Sequence, residues 1–322
     1  MKKVSYIIRS VFKWSFFTVV VLLIISTCWN LVSGLAEKSK TISNTYGKTM
    51  DINGRTMIYD IKGEENDKTI VILPGMGSTS PVLEFEPLAE KLSQNYKVIT
   101  LEPLGYGFSE KTDAKRTVEN VVLELRTCIA KLGITKYYLM AHSYGGIYTL
   151  EWSNKYENEV MGVIGIDMSV PKQDTLLPMA PLLYVSTYSE RALNFLGIER
   201  LGTVVAPRST LCCDPNYKYT DEEIDTLKFL TLNVTGNKTM RNEVDEATDT
   251  MDYIREMKYP VGIPVLNFVS SENCGSFDKW EQFHNDVVLN RGKSELIVVE
   301  GSHYLHFDDP DTIVTKVNEW VG

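Results

Sequence analysis

The feature that most constrains this chain is Tyr137-Tyr138-Leu139-Met140-Ala141-His142-Ser143-Tyr144-Gly145-Gly146. An apolar run passes without a spacer into small residues around one serine, and a helical pattern follows. A strand that meets a helix this abruptly must bend sharply. Small residues two before and two after the serine keep the two elements from colliding; Ala141 and Gly145 stand there. Such a turn holds the Ser143 hydroxyl at a helix N-terminus, with the Tyr144 N–H facing any negative charge that develops beside it.

The surrounding pattern says what the turn belongs to. Short apolar runs at 69–73, 97–101, 137–140, 160–166, 263–269 and 295–299 read as buried strands. Helical spacing separates them at 81–94 and 117–132 and closes the chain at 312–321. An Asn53-Gly54 hairpin signal precedes a further strand at 56–61. Strands alternating with helices predict an α/β architecture, a mostly parallel sheet covered on both faces. The rhythm breaks at 171–260, which has helical stretches near 182–196, 221–230 and 241–257 but no clear core strand. We expect this segment to form a helical lid over the carboxyl edge of the sheet, inserted into a core made of 51–170 and 261–322.

Ahead of the core, residues 14–36 form a 23-residue stretch without a charge. About 20 apolar residues cross the hydrocarbon layer as a helix. Trp14 and Trp29 bracket the run, and Lys2, Lys3, Arg9 and Lys13 precede it. That arrangement predicts a single-pass signal anchor over 1–36 with the body outside the cell membrane, followed by a polar linker at 37–50. A cleaved signal peptide ending near Gly34-Leu35-Ala36, or a lipid-modified Cys28, are the other readings.

Charge and cysteine content exclude other classes. The net charge is -9, of which residues 1–13 contribute +4, so the remainder carries -13. An acidic body repels phosphate backbones, and no nucleic-acid partner is expected. The five cysteines contain no CxxC pair and no histidine at zinc-ligand spacing. No structural metal and no cofactor are expected.

Three further motifs join the Ser143 turn. They are Leu73-Pro74-Gly75-Met76-Gly77, the turn Glu102-Pro103-Leu104-Gly105-Tyr106-Gly107-Phe108-Ser109, and Gly301-Ser302-His303-Tyr304-Leu305-His306-Phe307-Asp308-Asp309-Pro310. With them the chain resembles the α/β-hydrolase family over about residues 50–322. It departs from that family in carrying Pro74 where His is frequent and Glu102 where Asp is usual. The resemblance implies a Ser-His-acid triad, with Ser143 as nucleophile, His303 as base, and the N–H groups of Met76 and Tyr144 as the oxyanion hole. His142 adjoins the nucleophile but is expected to point into the core.

The acid stays open. The family's usual slot, after the strand at 263–269, holds Asn273, with Glu272 beside it and Asp278 further on. A second arrangement uses the end of the preceding strand, where Asp167 stands. Asp167 and Glu272 are both candidates. The physical need is a carboxylate that accepts the His303 ring N–H and stabilises the imidazolium.

The expected activity is hydrolysis of a small-molecule ester or acyl substrate through an acyl-enzyme on Ser143. Acyl transfer, peptide hydrolysis, and a non-catalytic binding module are the alternatives. The family's epoxide hydrolases and haloalkane dehalogenases carry Asp at the nucleophile position, so Ser143 argues against both.

Overall fold

In the computed structural model, residues 2–38, 46–176 and 179–322 are described. The elements run α1 (Lys2–Lys38), β1 (Lys48–Ile52), β2 (Arg55–Lys62), β3 (Thr69–Leu73), α2 (Pro81–Leu92), β4 (Lys97–Glu102), α3 (Val118–Lys131), β5 (Tyr137–His142), α4 (Gly145–Lys155) and β6 (Val160–Ile166). After them come α5 (Met179–Phe195), α6 (Ile198–Val205), α7 (Pro207–Thr210), α8 (Asp221–Asn233), α9 (Lys238–Asp245) and α10 (Ala247–Ile254). The chain ends with β7 (Val265–Ser270), α11 (Ser271–Ser276), α12 (Trp280–Asp286), β8 (Glu295–Val299), α13 (Leu305–Asp308) and α14 (Pro310–Val321).

The eight strands form one sheet in the order β1-β2-β4-β3-β5-β6-β7-β8. β1 and β2 pair antiparallel at one edge, and every pairing from β4 through β8 is parallel. Side chains of a strand alternate between faces, so a continuous apolar run feeds two cores. On one face Val71, Leu73, Ile99, Leu139 and Ala141 pack on α3 and α4. On the other, Ile70, Ile72, Val98, Tyr138, Met140, Leu266 and Phe268 pack on α2 and α14. β5, which carries the serine turn, is buried at every position.

Two expectations need correction. The linker expected at 37–50 is cut short, because Lys48–Ile52 already pairs with β2 as an edge strand. Residues 39–45 of that linker lie outside the described residues. The single helix anticipated at 241–257 is two, α9 and α10, broken at Glu246. Asn237 is a buried cap: its side-chain oxygen accepts the Thr239 N–H at 2.8 Å, and its amide donates to the Gly105 carbonyl at 2.6 Å.

The N-terminal helix is long and apolar enough over Tyr6–Glu37 to span a membrane. Its C-terminal half packs on α5 and α6. Asn30 donates to the Asn194 carbonyl at 2.7 Å and accepts from Arg200 Nε at 2.8 Å, and Arg200 Nη2 pairs with Glu37 at 2.9 Å. Gly197, at φ +77°, lets the backbones meet: a Cβ there would stand 2.5 Å from the Ser26 carbonyl oxygen.

The Glu102 turn shows why its glycines are required. Glu102 is fully buried and accepts Tyr46 OH at 2.8 Å, Ser80 Oγ at 3.0 Å and the Phe108 N–H at 3.0 Å. Gly107 sits at φ +48°, and a Cβ there would overlap the Glu102 carboxylate. We therefore expect Gly107→Ala to cost about 2–3 kcal/mol, from clash plus backbone strain. Gly133→Ala, at φ +76° with open space around it, should cost only the strain, about 1–2 kcal/mol. Thermal unfolding of both variants checks this; equal costs would mean the carboxylate contact carries nothing.

Candidate active site

Ser143 ends β5 with φ +49°, in the left-handed region that a side chain adopts at a cost. Three approaches squeeze the turn. A Cβ on Gly145 would lie 2.7 Å from the Pro74 carbonyl oxygen, one on Gly146 2.5 Å from that of Ser169, and one on Gly75 3.0 Å from Ser143 Cβ. The small residues around the serine are thus a packing requirement on three sides. The Ser143 carbonyl accepts the Ser169 N–H at 2.7 Å and the Gly146 N–H at 3.0 Å, which fixes the turn from behind.

Asp167, directly after β6, is the second strained residue, at φ +42°. It is 0% exposed. One oxygen accepts the Ser270 N–H at 3.0 Å and Trp280 Nε1–H at 3.1 Å. The other accepts Ser270 Oγ at 3.1 Å, Asn273 Nδ2 at 2.5 Å and His303 Nδ1 at 2.7 Å. Burial pushes this carboxyl up, but the His303 bond and the Ser270 and Trp280 donors outweigh it and hold it below the ordinary Asp range. With Nδ1–H given to Asp167, His303 presents Nε2 as the free nitrogen.

Of the two carboxylates left open, the structure brings Asp167 to His303 and leaves Glu272 exposed on α11. Asn273, in the slot where the family usually has its acid, instead donates to Asp167. Ser143 and His303 line the same two cavities. No hydrogen bond joins them, a looseness common in unliganded sites. Among the described residues, no protein acceptor takes the N–H of Met76 or of Tyr144. Both flank the serine, one from the loop after β3 and the other at the start of α4.

His142 points into the core, as the sequence leads one to expect, and donates Nε2–H to the His303 carbonyl at 3.0 Å, tying the histidine loop to β5. Other contributors escaped the sequence reading. Glu84 on α2 is fully buried, accepts from Ser78 Oγ and from His306 Nε2 at 3.1 Å, and lies 3.8 Å from His142 Nδ1. Its signal was available: an acid on the otherwise apolar face of the 81–94 helix. The Ser270 and Trp280 bonds to Asp167 depend on tertiary approach and leave no local pattern.

Two cavities meet at Ser143. The larger, 370 Å³, reaches past Met76 and Thr79 to Leu183, Glu190 and Glu199 of α5 and α6. The smaller, 230 Å³, is mainly apolar, with Leu176, Leu182, Phe277 and Trp280 in its wall.

Comparisons with known proteins agree with this architecture. Residues 68–198 match the family model described as alpha/beta hydrolase fold. The chain is 23% identical over 288 residues to the Bacillus subtilis (strain 168) protein YbdG, covering 86% of each. Among solved structures, Cfl2 of Burkholderia cenocepacia superposes with a TM-score of 0.67 at 14% identity, over 85% of this chain and 94% of that one. The enol-lactonase of Burkholderia xenovorans LB400 does so at 0.58 and 15%, over 85% and 99%. Epoxide hydrolases and haloalkane dehalogenases share the same architecture. The chain has the α/β-hydrolase fold.

The Asp167 environment has a pH signature. A carboxyl held low in the folded state adds stability above its unfolded value of about 3.9, and loses it as pH falls through the lower folded value. The unfolding free-energy difference between the native chain and Asp167→Asn should therefore shrink as pH falls from about 6 to about 3. Denaturant melts of the detergent-solubilised chain measure it. A difference that holds or grows toward acid would contradict the bond set described above.

Proposed function

We propose that the protein is a membrane-anchored serine hydrolase that cleaves a carboxylic ester through an acyl-enzyme on Ser143. The observation that carries this reading is the 2.7 Å bond from His303 Nδ1 to a buried Asp167, on a loop whose other ring nitrogen faces the cavity shared with Ser143. In the reaction His303 Nε2 takes the hydroxyl proton as Ser143 Oγ attacks the substrate carbonyl carbon. The unpaired N–H groups of Met76 and Tyr144 accept the charge that appears on the carbonyl oxygen. The imidazolium, stabilised by Asp167, protonates the leaving alkoxide; water then enters by the same base and releases the acid.

An ester is favoured over an epoxide or a haloalkane because Ser143 stands at the nucleophile position, where the resemblance gives those enzymes Asp. The enol-lactonase, whose name implies a lactone ester, is a neighbour of matching fold. Residues 171–260 act as the lid, since α5 and α6 wall the larger cavity. The N-terminal helix is the anchor. Tyr184, Val185, Phe195 and Val205, on the lid helices that pack on it, stay exposed, as suits a surface beside lipid.

A fluorophosphonate probe should label the full chain at Ser143, with labelling lost in Ser143→Ala and reduced in His303→Ala. A chain that takes no label under native conditions is a binding module instead. On p-nitrophenyl esters, Asp167→Asn should lower kcat by about 10³–10⁴-fold, while Glu272→Gln leaves it unchanged. The reverse ranking would put the acid at Glu272. Protease added to intact cells should degrade the body beyond residue 46; protection of the body overturns the orientation.

A further inference from the structure

We propose that the larger cavity receives a positively charged group, so that the preferred substrate is an ester whose acyl part carries an ammonium. This rests on the serine-hydrolase reading above and adds the chemistry of its substrate.

The cavity wall holds three carboxylates, Glu84, Glu190 and Glu199, and no lysine or arginine. Among the described residues, none of the three forms a salt bridge with a lysine or arginine. Glu190 accepts from Ser186 Oγ at 3.1 Å. The nearest basic groups to Glu84 are His306 and His142. Both rings are held neutral, because burial disfavours the charged form and pushes each pKa well down. Burial also raises Glu84, and burial together with Glu190 raises Glu199 to about 7. These are the marks of carboxylates without a counter-charge.

A second observation points the same way. His142 is 3% exposed and lines the cavity. Its Nε2–H is committed to the His303 carbonyl, so Nδ1 carries a lone pair, and that atom has no partner. The Thr231 hydroxyl, 8% exposed on the same wall, is also without a partner. A buried acceptor left unpaired costs about 1–3 kcal/mol. The group that completes this wall is therefore a hydrogen-bond donor with positive charge. A carboxylate or phosphate would add like charge, and a simple alkyl chain would leave Nδ1 and the acids uncompensated. The smaller cavity, walled by Leu182, Phe277 and Trp280, suits the apolar leaving group on the other side of Ser143.

The test compares p-nitrophenyl esters of ω-amino acids, two to six carbons long, with their N-acetylated counterparts, on the full chain in detergent. At the best chain length the ammonium ester should have a kcat/KM at least roughly tenfold higher, the scale of one charge-assisted hydrogen bond. Glu199→Gln and Glu84→Gln should each remove most of that preference. An equal or higher rate on every acetylated ester overturns the proposal. If neither ester is cleaved and no probe labels Ser143, the hydrolase reading has failed by itself. Calorimetry on Ser143→Ala then decides the site: hexylammonium should bind, more weakly in Glu84→Gln, and hexanol should not. No heat with hexylammonium overturns the proposal. Stoichiometric zinc that is lost in Glu84→Gln does so too, because Glu84, His142 and His306 would then be metal ligands.

Discussion

A carboxylate with no exposed surface needs donors, and the arrangement around Asp167 follows from supplying them. Its charge is kept by five bonds from four residues that lie far from it in sequence, on β7, α11, α12 and the loop after β8. Leaving any donor out would strand part of a buried charge, at a cost larger than the bond's net worth in water. The sheet edge and the helices beyond it are thus held together at the point where the histidine must be aimed. Two residues, Ser143 and Asp167, sit at positive φ directly after the adjacent strands β5 and β6. The strain is concentrated where two side chains must leave the sheet rather than follow its alternation.

The histidine loop is held from both ends. Its ring is fixed by Asp167 and its carbonyl by His142, the residue before the serine. A shift of β5 would therefore move hydroxyl and imidazole together, and their relation survives small motions of the sheet. Asp308 adds a third tie, accepting the Ser302 N–H at 2.6 Å and Ser302 Oγ at 2.7 Å.

Much of this was legible in the sequence, for identifiable reasons. Buried parallel strands are continuous apolar runs, so the sheet could be read from periodicity alone. The serine turn could be read because sterics leave few residue types for positions 141 and 145. The choice between Asp167 and Glu272 was not legible. Both stand just past the C-terminal end of a strand, and which one meets His303 depends on where Trp280 and Asn273 arrive. Asn273 itself was informative in an unexpected direction: at the expected acid position it serves as a donor to the acid one strand over. The edge strand at 48–52 was hidden because its alternation is shallow and only Ile52 is fully buried.

The helical segment between β6 and β7 links the two ends of the molecule. Arg200 is 7% exposed, yet its charge is matched by Glu37 from the N-terminal helix. Glu199, the residue before it on α6, turns toward the cavity and, among the described residues, has no such match. Two adjacent residues of one short helix thus carry opposite charges to opposite sides, one toward the anchor and one toward the serine. Movement of α6 against α1 would break a bidentate pair whose guanidinium is buried, which is costly to separate.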